Sequence, residues 1–316
     1  MEEPRRDRMV TMALNAAVDR IIVVKGLRRG QPNIASRSLR FFSGKGVNVA
    51  RALAKLGRSV VATGFIGQSE LAMFSRDLEA LGVRTQFVPT ADETRTNYKL
   101  VEEETGEEIE VNERGPSIST SERLALEAVV ADLCPSARMF LFSGSLPQGL
   151  PEEYYAQLIA QASAQGVCCA LDSSGGALRA ALREKPYLVK INRFELSQVL
   201  GTDVSDAGDV GWGLEMLCAQ GVRIAVASVG AGGALASDGT ATWIAKPPAL
   251  AVKSAVGAGD VMLAGMAVSV LNGESLDKAL RWATALATAS VTEYQPGSVD
   301  VALAEQMLAK VELATV

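Results

Sequence analysis

Short apolar runs alternate along this chain with longer segments of helical period, and most of the short runs end in a polar cluster. Runs at 9–14, 60–65, 83–88, 139–142, 167–171, 187–190 and 224–228 read as strands, being rich in Val, Ile, Leu and Phe and bounded by Gly, Ser, Asn or Asp. Periodic segments at 49–56, about 70–81, about 121–133, 152–165, from Asp260 to about residue 271, and 276–292 read as helices. Strand followed by helix followed by strand is the rhythm of a parallel sheet with helices on its faces. Two stretches break it. Short β-like runs at 21–24 and 37–42, and a hairpin pattern at 98–112 around Thr105-Gly106, are too brief or too polar for a central sheet and fit a small appended lid. A further hairpin is expected where 234–237 and 242–245 flank Asp238-Gly239.

Composition narrows the chemistry. The 316 residues are 48% hydrophobic and 21% charged, a globular balance that predicts one main domain with the lid as its appendage. A net charge of -5, from 31 basic and 36 acidic residues, excludes a general binder of nucleic acid or anionic membrane. The chain has no histidine, which removes Ser-His-Asp and Cys-His nucleophiles, His-ligated zinc and imidazole proton shuttles. Acid–base work falls to Asp, Glu, Lys, Tyr or Cys. Cys134, Cys168, Cys169 and Cys218 form no C-x-x-C pair and read as reduced core residues. The Arg5-Arg6 pair is followed by an apolar run too short for an export signal, and 261–271 falls far below the roughly 20 residues that span a bilayer, so a cytoplasmic protein is expected.

The polar clusters carry the candidate chemistry, because an open α/β sheet gathers the carboxyl ends of its strands along one edge, where ligands bind. Ser254-Ala255-Val256-Gly257-Ala258-Gly259-Asp260 runs into a helix, and bare amides at a helix start seat an anion beside the aspartate. Phosphoryl transfer follows as the working reading, with Asp260 taking the proton of the attacking hydroxyl. Asp19, just past the first strand, meets a polar substrate or caps a turn. In Ser43-Gly44-Lys45-Gly46-Val47-Asn48 two glycines allow close backbone approach, Lys45 offers charge and Asn48 offers hydrogen bonds, though a tight connection alone would look the same. Arg95 suits either a bidentate phosphate contact or a surface ion pair. Asn192 and Glu195 share a helical face, fit for magnesium held through water or for a helix cap. Gly230, Gly232 and Gly233 form a turn fit for a nucleotide or for a simple connector.

Taken together, Ser43-Gly44-Lys45-Gly46-Val47-Asn48-Val49-Ala50-Arg51-Ala52-Leu53 and Val256-Gly257-Ala258-Gly259-Asp260 resemble the two signature motifs of the PfkB, or ribokinase-like, carbohydrate kinases, over about residues 9–300. Thr94-Arg95-Thr96-Asn97, Ser143-Gly144-Ser145-Leu146-Pro147, Asp172-Ser173-Ser174-Gly175 and Lys190-Ile191-Asn192-Arg193-Phe194-Glu195-Leu196 look most like the branch acting on phosphorylated ketohexoses. The resemblance implies a doubly wound, mostly parallel α/β sheet sandwiched by helices, with a β-lid from about 19–42 and 95–113. It implies Asp260 as base with Gly257, Ala258 and Gly259 as anion hole. Asp19, Gly44 and Asn48 would hold sugar hydroxyls, with Asn97 beside them, and Arg95 and Ser145 with Lys45 would meet the sugar's phosphate. Lys190, Asn192, Ser228, Gly230, Gly232 and Gly233 would bind ATP, with Asn192 and Glu195 toward Mg2+. A monovalent cation and a homodimer through the lid are further expectations. Ala16, Ser43, Ile191 and Ala255 stand where the family usually has Pro, Gly, Pro and Thr, and Ile34 where many sugar-phosphate members have a basic residue. A kinase of an unphosphorylated sugar or nucleoside, and a catalytically silent sensor, are the competing readings.

Overall fold

Strands that lose both faces to helices must be apolar throughout, and residues 60–67 show this, being buried at every position. The computed structural model describes residues 7–316, so the Arg5-Arg6 pair lies outside the described residues. In chain order the elements are β1 (Arg8–Ala13), β2 (Ala17–Val24), β3 (Ala35–Ser43), α1 (Lys45–Lys55), β4 (Val60–Gly67), α2 (Leu71–Glu79), β5 (Arg84–Thr90), β6 (Arg95–Glu102), β7 (Glu108–Asn112), α3 (Thr120–Leu133), β8 (Ala137–Ser143), α4 (Tyr154–Ser163), β9 (Cys168–Asp172), α5 (Gly175–Leu182), β10 (Leu188–Asn192), α6 (Arg193–Leu200), α7 (Ala207–Ala219), β11 (Ile224–Ser228), β12 (Ala234–Ser237), β13 (Thr242–Lys246), α8 (Ala258–Leu271), α9 (Leu276–Ser290), α10 (Val301–Leu308) and β14 (Glu312–Thr315).

The strands form two sheets. A 10-stranded sheet runs β14-β13-β12-β11-β10-β9-β8-β1-β4-β5, parallel from β11 to β5 and antiparallel from β11 out to β14. The order reverses between β1 and β8, which makes that junction the switch point where an open sheet binds ligands. One core joins the sheet to α1, α2, α8, α9 and α10, and another joins its opposite face to α3 through α7. Helix α8 is buried from Asp260 to Ser269, and a Cβ at Gly265 would stand 3.0 Å from the Cα of Ala283, so the alanine-rich α9 packs directly against it. The second, 4-stranded sheet, β3-β2-β6-β7, holds the segments expected to form the lid and is called by that name below.

Some elements differ from the expected ones. Helix α1 begins at Lys45 rather than residue 49, because Gly44, at φ 108°, turns the chain and its carbonyl already accepts from Asn48 N at 2.9 Å. Lys45 and Asn48 therefore stand on the first turn of a helix. The lid strands β2 and β3 extend beyond 21–24 and 37–42, since their pairing continues from Val24 opposite Ala35 to Ala17 opposite Ser43. Helices α5, α7 and α10 and the edge strand β14 stand where the sequence pattern marks no element. Gly175 and Gly176 in α5, and Gly208, Gly211 and Gly213 in α7, weaken the helical signal, and packing onto the sheet overrides that cost.

Arg51, 1% exposed, ties α1 to its surroundings by donating to Pro296 O at 2.8 Å, Phe42 O at 2.9 Å and Asp77 Oδ2 at 2.6 Å. Gly46 lies so close to β1 that a Cβ there would run into the Met12 carbonyl. Gly46→Ala is expected to lower stability by about 1–3 kcal/mol in a denaturant titration, because a backbone group cannot move aside as a side chain can.

Candidate active site

Cleft-facing residues collect at the switch point from distant parts of the chain. Beyond β1, Asn15 Nδ2 donates to Ser145 Oγ at 3.1 Å, joining the two strand ends where the order reverses. Arg95 opens β6 beside Ala17 and donates to Asn15 O from Nη2 at 3.1 Å and Nε at 3.3 Å, and from Nη1 to Glu113 O at 3.4 Å. Main-chain carbonyls thus orient the guanidinium, and Asn15 links it to Ser145. Further along β2, Asp19 sits opposite Asn97 and accepts from its Nδ2 at 2.9 Å. Burial raises the Asp19 pKa against the hydrogen bonds and Arg95 that lower it. Both residues line a cavity of about 240 Å³ between the lid and the loops carrying Ser254, Val256 and Tyr294. Ile34 lies on the connection between β2 and β3 and is 89% exposed.

At the floor, the first turns of α1 and α8 meet. Asn48 Nδ2 donates to Asp260 Oδ2 at 2.8 Å, and Ser43 Oγ donates to Asn48 Oδ1 at 3.1 Å. The hydroxyl fixes the amide's orientation, so the serine in place of the family's glycine supports the aspartate's partner. Asp260 stands in the first turn of α8, after Gly257 in the left-handed conformation at φ 86°. A Cβ on Gly257 would come within 2.7 Å of Gly297 N, so only glycine permits this turn. The Ala258 and Asp260 amides turn back onto the Ala255 and Gly257 carbonyls at 3.3 and 3.1 Å. Lys190 Nζ stands against the same turn, 2.6 Å from where a Cβ on Gly259 would be.

Four charged side chains share this floor. Asp172, the last residue of β9 and fully buried, meets Lys45 Nζ at 2.5 Å through Oδ1 and Lys190 Nζ at 2.9 Å through Oδ2. Burial alone would raise its pKa, but the two ammonium groups outweigh burial and hold the carboxyl below its usual range. Burial would likewise lower Lys45, and Asp172 and Asp260 instead raise it. For Asp260, burial dominates over Lys45 and Asn48 and pushes the carboxyl up to about 6.

Toward the other end of the edge, Asn192 closes β10 opposite Ser228 of β11. Asn192 Oδ1 accepts from Glu195 N and Glu195 Oε2 accepts from Asn192 N, each at 2.8 Å, a reciprocal cap on α6. The turn carrying Gly230, Gly232 and Gly233 follows Ser228 directly and closes by Val229 N donating to Gly233 O at 2.9 Å. Among the described residues no cluster of three or more Asp, Glu, Cys or His forms a ready metal site. Asp172 and Ser43 received no individual role from the sequence. A carboxylate at a strand's end was the visible signal for Asp172, but its partner Lys45 lies 127 positions away.

A profile described as pfkB family carbohydrate kinase matches residues 10–301. A 1-phosphofructokinase of Xanthomonas campestris pv. campestris is 38% identical over 281 residues, covering 87% of this chain and 88% of that protein. One of Escherichia coli K12 is 35% identical over 308 residues, covering 97% and 98%. Phosphofructokinase-2 of E. coli, solved with substrates and products, superimposes with a TM-score of 0.89 at 29% identity, covering 96% and 99%. The same protein has been solved in complex with potassium and in a tetrameric inhibited form. With a match to the family profile over most of its length and relatives above 30% identity along nearly the whole chain, the chain belongs to the pfkB family of carbohydrate kinases.

Proposed function

We propose that the protein transfers the γ-phosphoryl group of ATP to the free terminal hydroxyl of fructose 1-phosphate. The observation that carries this reading is Asp260, buried at the start of α8 with Asn48 fixed on one oxygen, beside two lysines and a helix end that favour a phosphoryl group. The identity to 1-phosphofructokinases over nearly the whole chain supports the choice of sugar. The hydroxyl oxygen bonds to the γ-phosphorus as its proton passes to Asp260. The bond from that phosphorus to the bridging oxygen breaks, and the oxygen leaves with the electron pair on ADP. Asp19 and Asn97 hold sugar hydroxyls, Arg95 and Ser145 hold the phosphate already present, and Lys190, Asn192 and the Ser228 to Gly233 turn receive ATP.

Magnesium fits a site with few protein ligands, since that ion is held through water, one or two carboxylates and substrate phosphates. The cap uses Oε2 of Glu195, and Glu195 with Asn192 would hold the hydrated ion and so offset phosphate charge. The relative bound to potassium supports a monovalent cation as well. The lid supports a dimer: Ile22, Leu100 and Ile109 align across β2, β6 and β7, with Tyr98 and Val111 beside them, on the face opposite Asp19 and Asn97. Ile109 and Val111 are 46% and 54% exposed. A cytoplasmic location agrees with the free thiols of Cys168, Cys169 and Cys218 and with the absence, among the described residues, of a helix able to cross a membrane.

In a coupled ADP-release assay, fructose 1-phosphate is expected to give the highest kcat/KM among fructose 1-phosphate, fructose 6-phosphate, tagatose 6-phosphate and free sugars. Turnover of free sugars alone would sink the substrate assignment and leave the kinase standing. Asp260→Asn should reduce kcat by about 10²–10⁴-fold while ATP still binds in a calorimetric titration. For the wild type, kcat/KM should fall with an apparent pKa of about 6, because the base works only as carboxylate. The folded pKa lies above the ordinary 3.8, so the group's contribution to stability is full below 3.8 and is lost as pH rises through about 6; the acid loss of activity is therefore not unfolding at this group. Val111→Asp should shift the sedimentation coefficient toward that of the monomer; an unchanged dimer would exclude the lid as its interface.

A further inference from the structure

Two places in the cleft suit an anion, and they share no side chain. At the first, Arg95 and Ser145 converge on Asn15, with the guanidinium held by carbonyls. At the second, Lys45 and Lys190 approach one fully buried carboxylate, Asp172, and Lys190 stands against Gly259 at the start of α8. Lys45 lies three positions before Asn48 on α1, so the two share a helical face, and Asn48 grips Asp260. The Lys45 ammonium is thus tied to the reacting end of the cleft.

Asp172 is itself held rigidly. Its carbonyl accepts from Gly144 N at 2.8 Å, and Ser173 Oγ donates to Gly144 O at 2.9 Å, so the ends of β8 and β9 are locked together past their last ladder bonds. A buried carboxylate with two ammonium partners is a costly arrangement where a single pair, or an apolar side chain, would pack as well. It keeps two like charges side by side that would otherwise separate. A phosphoryl group that reached both would find them already placed on the two oxygens of one carboxylate.

We propose, resting on the kinase reading above, that Asp172 is a positioning residue that sets Lys45 and Lys190 as a pair against the phosphoryl group in transit. Lys45 then serves the transferred group and not the phosphate the sugar already carries. In the ADP-release assay with ATP and fructose 1-phosphate, Asp172→Asn and Lys45→Met should each lower kcat about 100-fold, with KM for both substrates within about threefold of wild type. The double variant should fall no more than about threefold below the slower single variant, because both changes dismantle one arrangement. Three results overturn the proposal: kcat of Asp172→Asn within about threefold of wild type, a rise in the sugar's KM as the main effect of Lys45→Met, or single effects that multiply in the double variant. Lys45→Met leaves Asp172 paired with Lys190, so it carries the test alone if asparagine at 172 prevents folding. Wild-type protein that releases no ADP with any sugar phosphate refutes the kinase reading itself, a separate outcome from any ratio between variants.

Discussion

Two carboxylates and two ammonium groups meet at the floor of the cleft, three of them buried and Lys45 partly exposed, and their formal charges cancel only while all four stay together. Lys190 sits at the positive end of α8, a placement that is unfavourable for a cation taken alone. Asp172 and Asp260 offset it in the free protein. On the proposed function, an incoming phosphate would find a positive helix end and two ammonium groups already gathered, at a place where low polarisability makes each interaction stronger than in water. Burial lifts the Asp260 carboxyl to about 6 against the pull of Lys45 and Lys190, into the range where a carboxylate can accept a proton and later release it.

Architecture makes this cluster affordable by recruiting each member from a different element. Asp172 ends β9, Lys190 lies near the end of β10, Lys45 opens α1 and Asp260 opens α8. No two need compete for the same stretch of backbone. The parallel sheet aligns the strand ends, and α8 can reach them because it is apolar enough to be buried for most of its length. Arg51, buried on the same helix as Lys45, fixes that helix against the Pro296 loop and the end of β3.

Much of this was legible in the chain. Apolar runs ending in Ser, Asn, Asp or Gly located the strand ends, and the two glycine motifs located the helix starts, because those features depend on neighbouring residues. Position 45 shows where local reading stops. Glycine on both sides of the lysine looks like a loop, and only the Asn48 amide bonding to Gly44 O reveals a helix turn. Asp172 shows a second limit: a strand-end aspartate was visible, but the two lysines that hold it ionised come from 127 positions upstream and from the neighbouring strand. For Asn192 and Glu195 the spacing fits a cap and a metal contact equally, and the structure forms the cap.

The lid's first hairpin enters and leaves the body at two points that touch each other. Residues 14–16 link β1 to β2, and Gly44 alone links β3 to α1; a Cβ on Gly44 would lie 2.7 Å from the Cα of Ala16. These stems carry Asn15, which meets Ser145 and Arg95, and Ser43, which steers Asn48 toward Asp260. A tilt of the hairpin would therefore strain the Asn15 and Ser43 hydrogen bonds together, so that on the proposed function the position of the hairpin and the alignment of Asp260 are coupled through these two stems.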